Sequence, residues 1–439
     1  MQNVFHYFMK IRPIFLIPIL LCLTGFKSGE TFDAFADKFV SGYKELKIPQ
    51  LELSYVNMLK QIKPADQIKK QINFFESIRS EQKQIAVTSL SSSQKKDYEL
   101  IAYETELNLE RLALEKQWNA AGIKEVPATG LYTIPNGKAW YSYFLKNWLS
   151  ANVTPDEIYQ FGLAEVKRVQ AQISVIQKQS GMDDDAFYKH LNDSSFFIVD
   201  ARVVMVHFEQ TRAVVYNHLH YLFNEHNIPP VRIEKGANEA MAQVPGYYDE
   251  NVFYYNQFNK PYNTRQIGWL FIHEAVPGHH YKASINASLK QSKVQQLFYY
   301  MGLEEGWGAY CEELGKDLGV YKTPYDELGK WEWDLVRSVR VPMDIGLNYY
   351  GWTDEQALAF WKKNIKNQDD IAMREIARVK RWPAQCITYK YGADQIIQWK
   401  QLLQKREGNK FNIKNFHDQI LNLGSLPVFM AKESVLNNG

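Results

Sequence analysis

Along residues 32–117 apolar side chains recur every three or four positions within polar sequence, as in FADKFVSGYKELKI and DYELIAYETELNLERLALEKQW, with few glycines or prolines. That period predicts amphipathic helices. The turn-rich segment AAGIKEVPATGLYTIPNGK predicts a long loop. The following VTPDEIYQFGLAEVKRVQAQISVIQKQSG predicts a helix with Thr154 as N-cap, Pro155 in the first turn, and Asp156 and Glu157 near the positive end. Between Pro229 and Asn256 the pattern changes: VRIEKGANEAMAQVPGYYDENVFYYN carries β-branched and aromatic residues broken by Gly and Pro, the mark of short strands. Such a strand can accept a peptide along its edge. Beyond Gly302 helical spacing returns in EGWGAYCEEL, TPYDELGKWEWDLVRSVRVPMDIGL and TDEQALAFWKKNI. With no repeat, low-complexity tract or clear linker, the pattern predicts a mainly α protein: one large helical domain over residues 29–439, with a small β element just before residues 271–280.

The N-terminus reads differently. In MQNVFHYFMKIRPIFLIPILLCLTGFKSGE, Lys10 and Arg12 precede an apolar run from Ile14 to Leu23, and the chain is polar again by Lys27. About ten apolar residues are too few to cross a bilayer, so residues 1–28 read as a secretory signal peptide and no membrane span is expected. Cys22 is a candidate for lipidation, although Leu21 stands where a lipoprotein signal wants a small residue. The expectation is an exported, periplasmic protein, with Cys22 as its candidate lipid anchor.

Composition adds two exclusions. A formal charge of +2, with Lys and Glu intermixed, gives no nucleic-acid signature. Removing the leader leaves only Cys311 and Cys386, too sparse a set for a disulfide framework; buried free thiols are expected. A chain of 439 residues that is 46% hydrophobic builds its core without bridges. Nothing in the sequence specifies an oligomeric state.

The candidate chemistry lies in FIHEAVPGHHYK, residues 271–282. A zinc-hydrolase helix places two histidines four residues apart, stacked about 6 Å along one face, with a Glu beside the metal. Here the fourth position after His273 is Pro277. His279, six residues after His273, would on a regular helix be turned about 240° away and lifted about 9 Å. Pro277 clashes with the carbonyl of His273 and removes a helix hydrogen bond, while Gly278 permits unusual backbone angles, so a widened turn that absorbs the extra residues is expected here. His280, on the same face but about 10.5 Å along, is the alternative ligand. In GLEEGWGAYCEEL, Glu305 and Glu312 share a helix face; one of them can supply a third ligand while the other holds the second nitrogen of a ligand histidine. Glu274 is then the general base for a zinc-activated water.

HEAVPGHH together with EGWGAYCEEL resembles the bacterial domain-of-unknown-function 885 family, which carries an HExxPGHH signature and is grouped with the gluzincin metallopeptidases. IPNGKAWYSYFLKNWLSANVTPDEIYQFGLAEVKRVQAQI, RSVRVPMDIGLNYYGWTDEQALAF and RWPAQCITYKYG are similar to further segments of that family in the same order, so the likeness runs roughly from Leu131 to Ile396. The resemblance implies a zincin, gluzincin-like fold, a single zinc per chain, and a peptide substrate. By the same resemblance the E-G-W start selects Glu305 over Glu304 and Glu312, and the Gly-His pair favours His279 over His280. The chain departs from the family at Tyr281 and Lys282 (often Leu-Gln), at Asn348 (a histidine) and at Ala384 (a glycine).

Outside the motif, Tyr389 is a candidate oxyanion donor whose bland reading is a buried tyrosine. Arg340 can clamp a substrate carboxylate, or simply pair with Asp344 four residues on. Tyr247 and Tyr248 are candidates for lining the cleft, and the tryptophans of GKWEWDL for the core. The expected function is a peptidase acting on short peptides, with a non-catalytic peptide- or envelope-binding protein as the alternative. Terminal and internal cleavage both stay open.

Overall fold

The computed structural model describes residues 28–437 apart from 124, 242, 243 and 367. The leader and Cys22 lie outside the described residues. Seventeen α-helices among those described make the chain mainly helical, and none of them is long and apolar enough to cross a membrane.

The helix Pro155–Ser180 begins where its signals place it. The Thr154 hydroxyl accepts from the Glu157 amide, and the Glu157 carboxylate accepts from the Thr154 amide at 2.8 Å, so two amides that lack helical partners are satisfied together. Gly181, at φ 70°, closes its other end. Thr323, Pro324 and Asp326 repeat the device at the start of the helix Pro324–Ile345.

Among the described residues five short strands form two small sheets. β1 (Phe197–Ile198) pairs antiparallel with β5 (Tyr262–Asn263). β2 (Arg232–Lys235), β3 (Gly246–Asp249) and β4 (Val252–Tyr255) form a sheet of order β2-β4-β3, with β2 parallel and β3 antiparallel to β4. Glu250 and Asn251 join β3 to β4 with φ of 42° and 68°, the pair of positive values a two-residue hairpin requires. β3 is therefore an edge strand. The extended segment from Pro229 to Asn256 is thus present, whereas the β1–β5 pair has no counterpart in the sequence pattern, because two-residue strands leave no alternation to read.

Apolar side chains gather in two clusters that share neighbours such as Tyr103 and Trp333. The helix Ile267–Glu274 is apolar all round, and Trp269, Leu270, Phe271 and Ile272 are buried in the first cluster, as such a composition demands. The helix Met301–Cys311 crosses the helix Thr388–Glu407 backbone to backbone. A Cβ at Gly306 would stand 2.5 Å from the Gly392 Cα, and one at Gly392 would lie 2.0 Å from the Gly302 carbonyl oxygen. Gly306→Ala is therefore expected to force the two helices apart and cost about 1–3 kcal/mol of stability, read from denaturant unfolding. A variant as stable as the parent would contradict this close crossing. Cys311 and Cys386 are buried and free, as expected.

Candidate metal centre

The histidine motif solves its spacing problem by breaking the helix. The first helix ends at Glu274; Ala275 takes φ −101° and ψ −100°, the Val276–Pro277 peptide is cis, and a new helix begins at His279. The Tyr281 amide donates to the Ala275 carbonyl, six residues back, at 3.2 Å. The indole of Trp307 donates to the Pro277 carbonyl at 2.8 Å. Gly278 presses on the first helix so closely that a Cβ would lie 1.8 Å from the His273 carbonyl oxygen. The widened turn read from Pro277 and Gly278 is thus a full interruption, and it brings the His273 and His279 rings to 4.9 Å, nearly perpendicular at 87°. A regular helix would hold them about 9 Å apart along its axis.

The crossing at Gly306 places Glu305 against these rings. Its Oε2 lies 3.4 Å from His279 Nε2 and 3.9 Å from His273 Nε2. Glu274 also approaches, its Oε1 4.0 Å from His273 Nε2, and His273, Glu274 and His279 offer atoms within 4.8 Å of one another. Both carboxylates thus lie close to the imidazoles, and Glu305 makes the shorter approach to each. Glu304, its neighbour in sequence, is turned away to the buried ammonium of Lys282 at 2.8 Å. Gly308 supplies the room, since a Cβ there would come within 2.9 Å of His273 Cε1 and 3.1 Å of His279 Cε1. EGWG thus reads residue by residue as a charged group, a close helix crossing, a brace on the bend and a clearance.

Behind His273, its Nδ1 lies 2.7 Å from Glu312 Oε1, and that same oxygen takes Arg337 Nη1 at 2.5 Å. The carboxylate holds the proton on Nδ1 and leaves the Nε2 lone pair facing the cluster. Burial, together with the positive charges of Arg337 and His279, keeps His273 well below its usual range, hence neutral. For His279 burial acts downward, but Glu305 and Glu274 overcome it and raise the ring to about 9. Burial works against the charge on Glu305, yet its histidine and arginine neighbours hold it below the usual carboxylate range. Glu274 is pushed up to about 7 by burial, with His279 opposing and Glu305 adding; its carboxylate also accepts the main-chain amide of Tyr248 in β3. Two inward nitrogens, one carboxylate and a cradle that a single methyl would fill fit a small divalent cation with nitrogen and oxygen ligands. Glu312→Gln is expected to weaken zinc binding about 10–100-fold in competition with a chromogenic chelator. Unchanged affinity would mean that Glu312 does not orient the ring.

His280, the alternative ligand, is turned out of the cluster. Its Nε2 lies 2.8 Å from the Pro229 carbonyl, and its ring packs against Tyr248 at 5.5 Å. The break, not the helical repeat, sets its direction, so the face argument does not apply to it. Arg340 pairs with Glu375 at 2.7 Å rather than with Asp344. Asp344 instead accepts the Ala384 amide at 3.0 Å. Tyr389 stands under Arg337, 5.3 Å from its ring centre, and its hydroxyl accepts from Gln385 at 3.3 Å. The departures from the family are structural. Asn348 ties Leu131, Asp344 and Val379 together, Lys282 neutralises Glu304, and Ala384 takes φ 66°, where glycine is free and alanine costs about 1–2 kcal/mol. Trp331 is core as expected, whereas Trp333 stacks on Trp269 at 5.9 Å and faces the cavity. Arg337, Trp307 and Gly308 escaped the sequence reading; the three-residue spacing of Arg337 and Arg340 on one helix was the available signal for the first.

A cavity of about 1540 Å³ opens over the cluster. The histidine pair, Glu274 and Glu305 line it, as do β3 through Tyr247 and Tyr248, Tyr389, and the Asp369–Arg381 helix through Arg374 and Arg378. A family described as "Bacterial protein of unknown function (DUF885)" matches residues 65–435. No curated protein matches the chain significantly. A crystal structure of a "putative lipoprotein" from Colwellia psychrerythraea aligns with a TM-score of 0.67 at 22% identity, over 85% of this chain and 70% of that one. The structure of a "putative lipoprotein of unknown function" from Shewanella oneidensis aligns with a TM-score of 0.68 at 17% identity, over 92% of this chain and 99% of that one. At these identities the likeness speaks for a shared fold.

Proposed function

The chain belongs to the DUF885 family of bacterial proteins, and on that premise we propose that it is an exported zinc-dependent peptidase of gluzincin-like fold that hydrolyses short peptides. The observation that carries the reading is the convergence of His273, His279 and Glu305 beside Glu274, with His273 braced by Glu312. Those three residues would hold one zinc, which supplies Lewis acidity toward a peptide carbonyl and a lowered pKa for water.

The remaining work falls to the chain itself. Glu274 takes the proton of the attacking water and hands it to the departing amine. The phenol of Tyr389 is kept protonated by burial, so it can donate to the oxygen that becomes negative as the carbonyl carbon turns tetrahedral. The edge of β3, where Gly246, Tyr247 and Tyr248 line the cavity, offers backbone groups to an extended peptide beside the Tyr248 amide that Glu274 already holds. A volume of about 1540 Å³ exceeds the ~300–1,000 Å³ of small-molecule sites, and helices wall it, which suits a short peptide better than a folded protein. Export is supported by the N-terminal pattern and by the lipoprotein names of both neighbours.

The test is incubation of zinc-loaded protein with a mixture of short peptides, with products read by mass spectrometry. Cleavage that a chelator stops and added zinc restores is the expected result. Peptides bound but left uncut would contradict it and favour the binding-protein reading.

A further inference from the structure

One wall of the cavity carries more positive charge than its neighbours answer. Glu375 takes Arg340 Nε at 2.7 Å and Arg374 Nη2 at 2.8 Å, and Asp354 takes Lys380 at 2.9 Å. Among the described residues Arg378 and Arg381 have no carboxylate in ion-pair range. Arg381 is exposed and stacks on Trp382, 4.6 Å from the ring centre. Arg378 is half-buried and lines the cavity; its hydrogen-bond and stacking partners are neutral, namely the Gln385 side-chain oxygen at 3.3 Å, the Tyr389 hydroxyl and the Trp382 ring at 5.3 Å, while Glu375, already paired with Arg340 and Arg374, acts on it only from beyond ion-pair range. Its Nε and the Nη2 of the fully buried Arg340 are both without an acceptor.

Buried guanidinium N–H groups left without an acceptor are costly. A substrate anion would remove that cost, and the planar fork of arginine matches a carboxylate. Glu274 and Glu305 line the same cavity beside the histidines, whereas Arg374, Arg378 and Arg381 line it from the Asp369–Arg381 helix, which favours an anion against that helix.

We propose that Arg378, with Gln385 beside it and the charge of Arg340 behind it, holds the C-terminal α-carboxylate of the substrate, which makes the protein a carboxypeptidase. This rests on the peptidase reading above. Tyr389 is hydrogen-bonded to Arg378 and feels the charge of Glu305, and all three line the same cavity, so the bound terminus and the cluster share one space. Hydrolysis then consumes one water. Its oxygen bonds to the acyl carbon, the C–N bond breaks, and the proton taken by Glu274 leaves on the amine of the released C-terminal fragment.

Three probes separate the sources of charge: N-acetyl tetra-alanine as the free acid, its C-terminal amide, and an amide-capped peptide of equal length with one glutamate. Binding is measured by calorimetry on zinc-loaded Glu274→Gln protein, and cleavage on the unaltered protein. The free acid is expected to bind on the order of 10–100-fold more tightly than either amide. Arg378→Gln should erase that difference, and products should lack a short C-terminal fragment. Equal binding of acid and amide overturns the proposal, as does a glutamate peptide that binds like the acid. Internal cleavage of both amides would overturn the subsite while the peptidase reading stands. A preference for the acid with no cleavage would uphold the subsite and sink the peptidase reading.

Discussion

Glu274→Gln is expected to lower peptide hydrolysis by about 10²–10⁴-fold while zinc content stays at the parent level. The substitution keeps the shape of the side chain. Its remaining oxygen can still accept the Tyr248 amide, and His273, His279 and Glu305 are untouched. What is lost is a group able to take a proton. A carboxyl held at about 7 by burial and by the nearby charge of Glu305 is a fitting base near neutral pH, and a cation between the histidines would favour its ionised form further. Metal analysis of the same variant separates two roles. Activity and metal lost together would make Glu274 a ligand, and activity within a few-fold of the parent would leave the site without its base.

The second large effect concerns stability. Arg337 and Glu312 are 4% and 1% exposed and 2.5 Å apart, and Arg337 also stacks on Trp269 at 5.5 Å. Burial pushes the Glu312 carboxyl up, and Arg337 pulls it back. Arg337→Met fills similar space but leaves that carboxylate buried with the neutral His273 as its hydrogen-bond partner and only the longer-range charge of Lys330 to offset it. Removing one partner of such a pair costs about 3–5 kcal/mol, because a charge stays behind in a poorly polarisable interior. Denaturant unfolding of parent and variant measures the loss. A difference below about 1 kcal/mol would show that Glu312 carries its own proton, and the account of how His273 is oriented would then fail.

Local signals and one broken local rule made much of this legible in the sequence. Thr154 with Glu157, and Thr323 with Asp326, fix helix starts through neighbouring atoms, so a string of residues suffices to read them. Pro277 and Gly278 violate the helical pattern at one spot, and such a violation points to function. Partnerships across long sequence distances were not legible. Arg340 finds Glu375, His280 finds the Pro229 carbonyl, and Lys282 finds Glu304, each through the packing of separate elements. Helical spacing orders residues on one face but cannot say what that face meets. Even the choice among Glu304, Glu305 and Glu312 depended on partners: each has a distinct one, and only Glu305 faces both imidazoles.

The central claim is that a broken helix still builds a metal site, and metal content tests it most directly. Elemental analysis of purified parent protein beside His273→Ala is expected to find about one zinc per chain in the parent and none in the variant. A parent protein that holds no zinc, even after incubation with it, would contradict the account, because His273, His279 and Glu305 would then be a packed ion cluster and Glu274 would have no metal to serve.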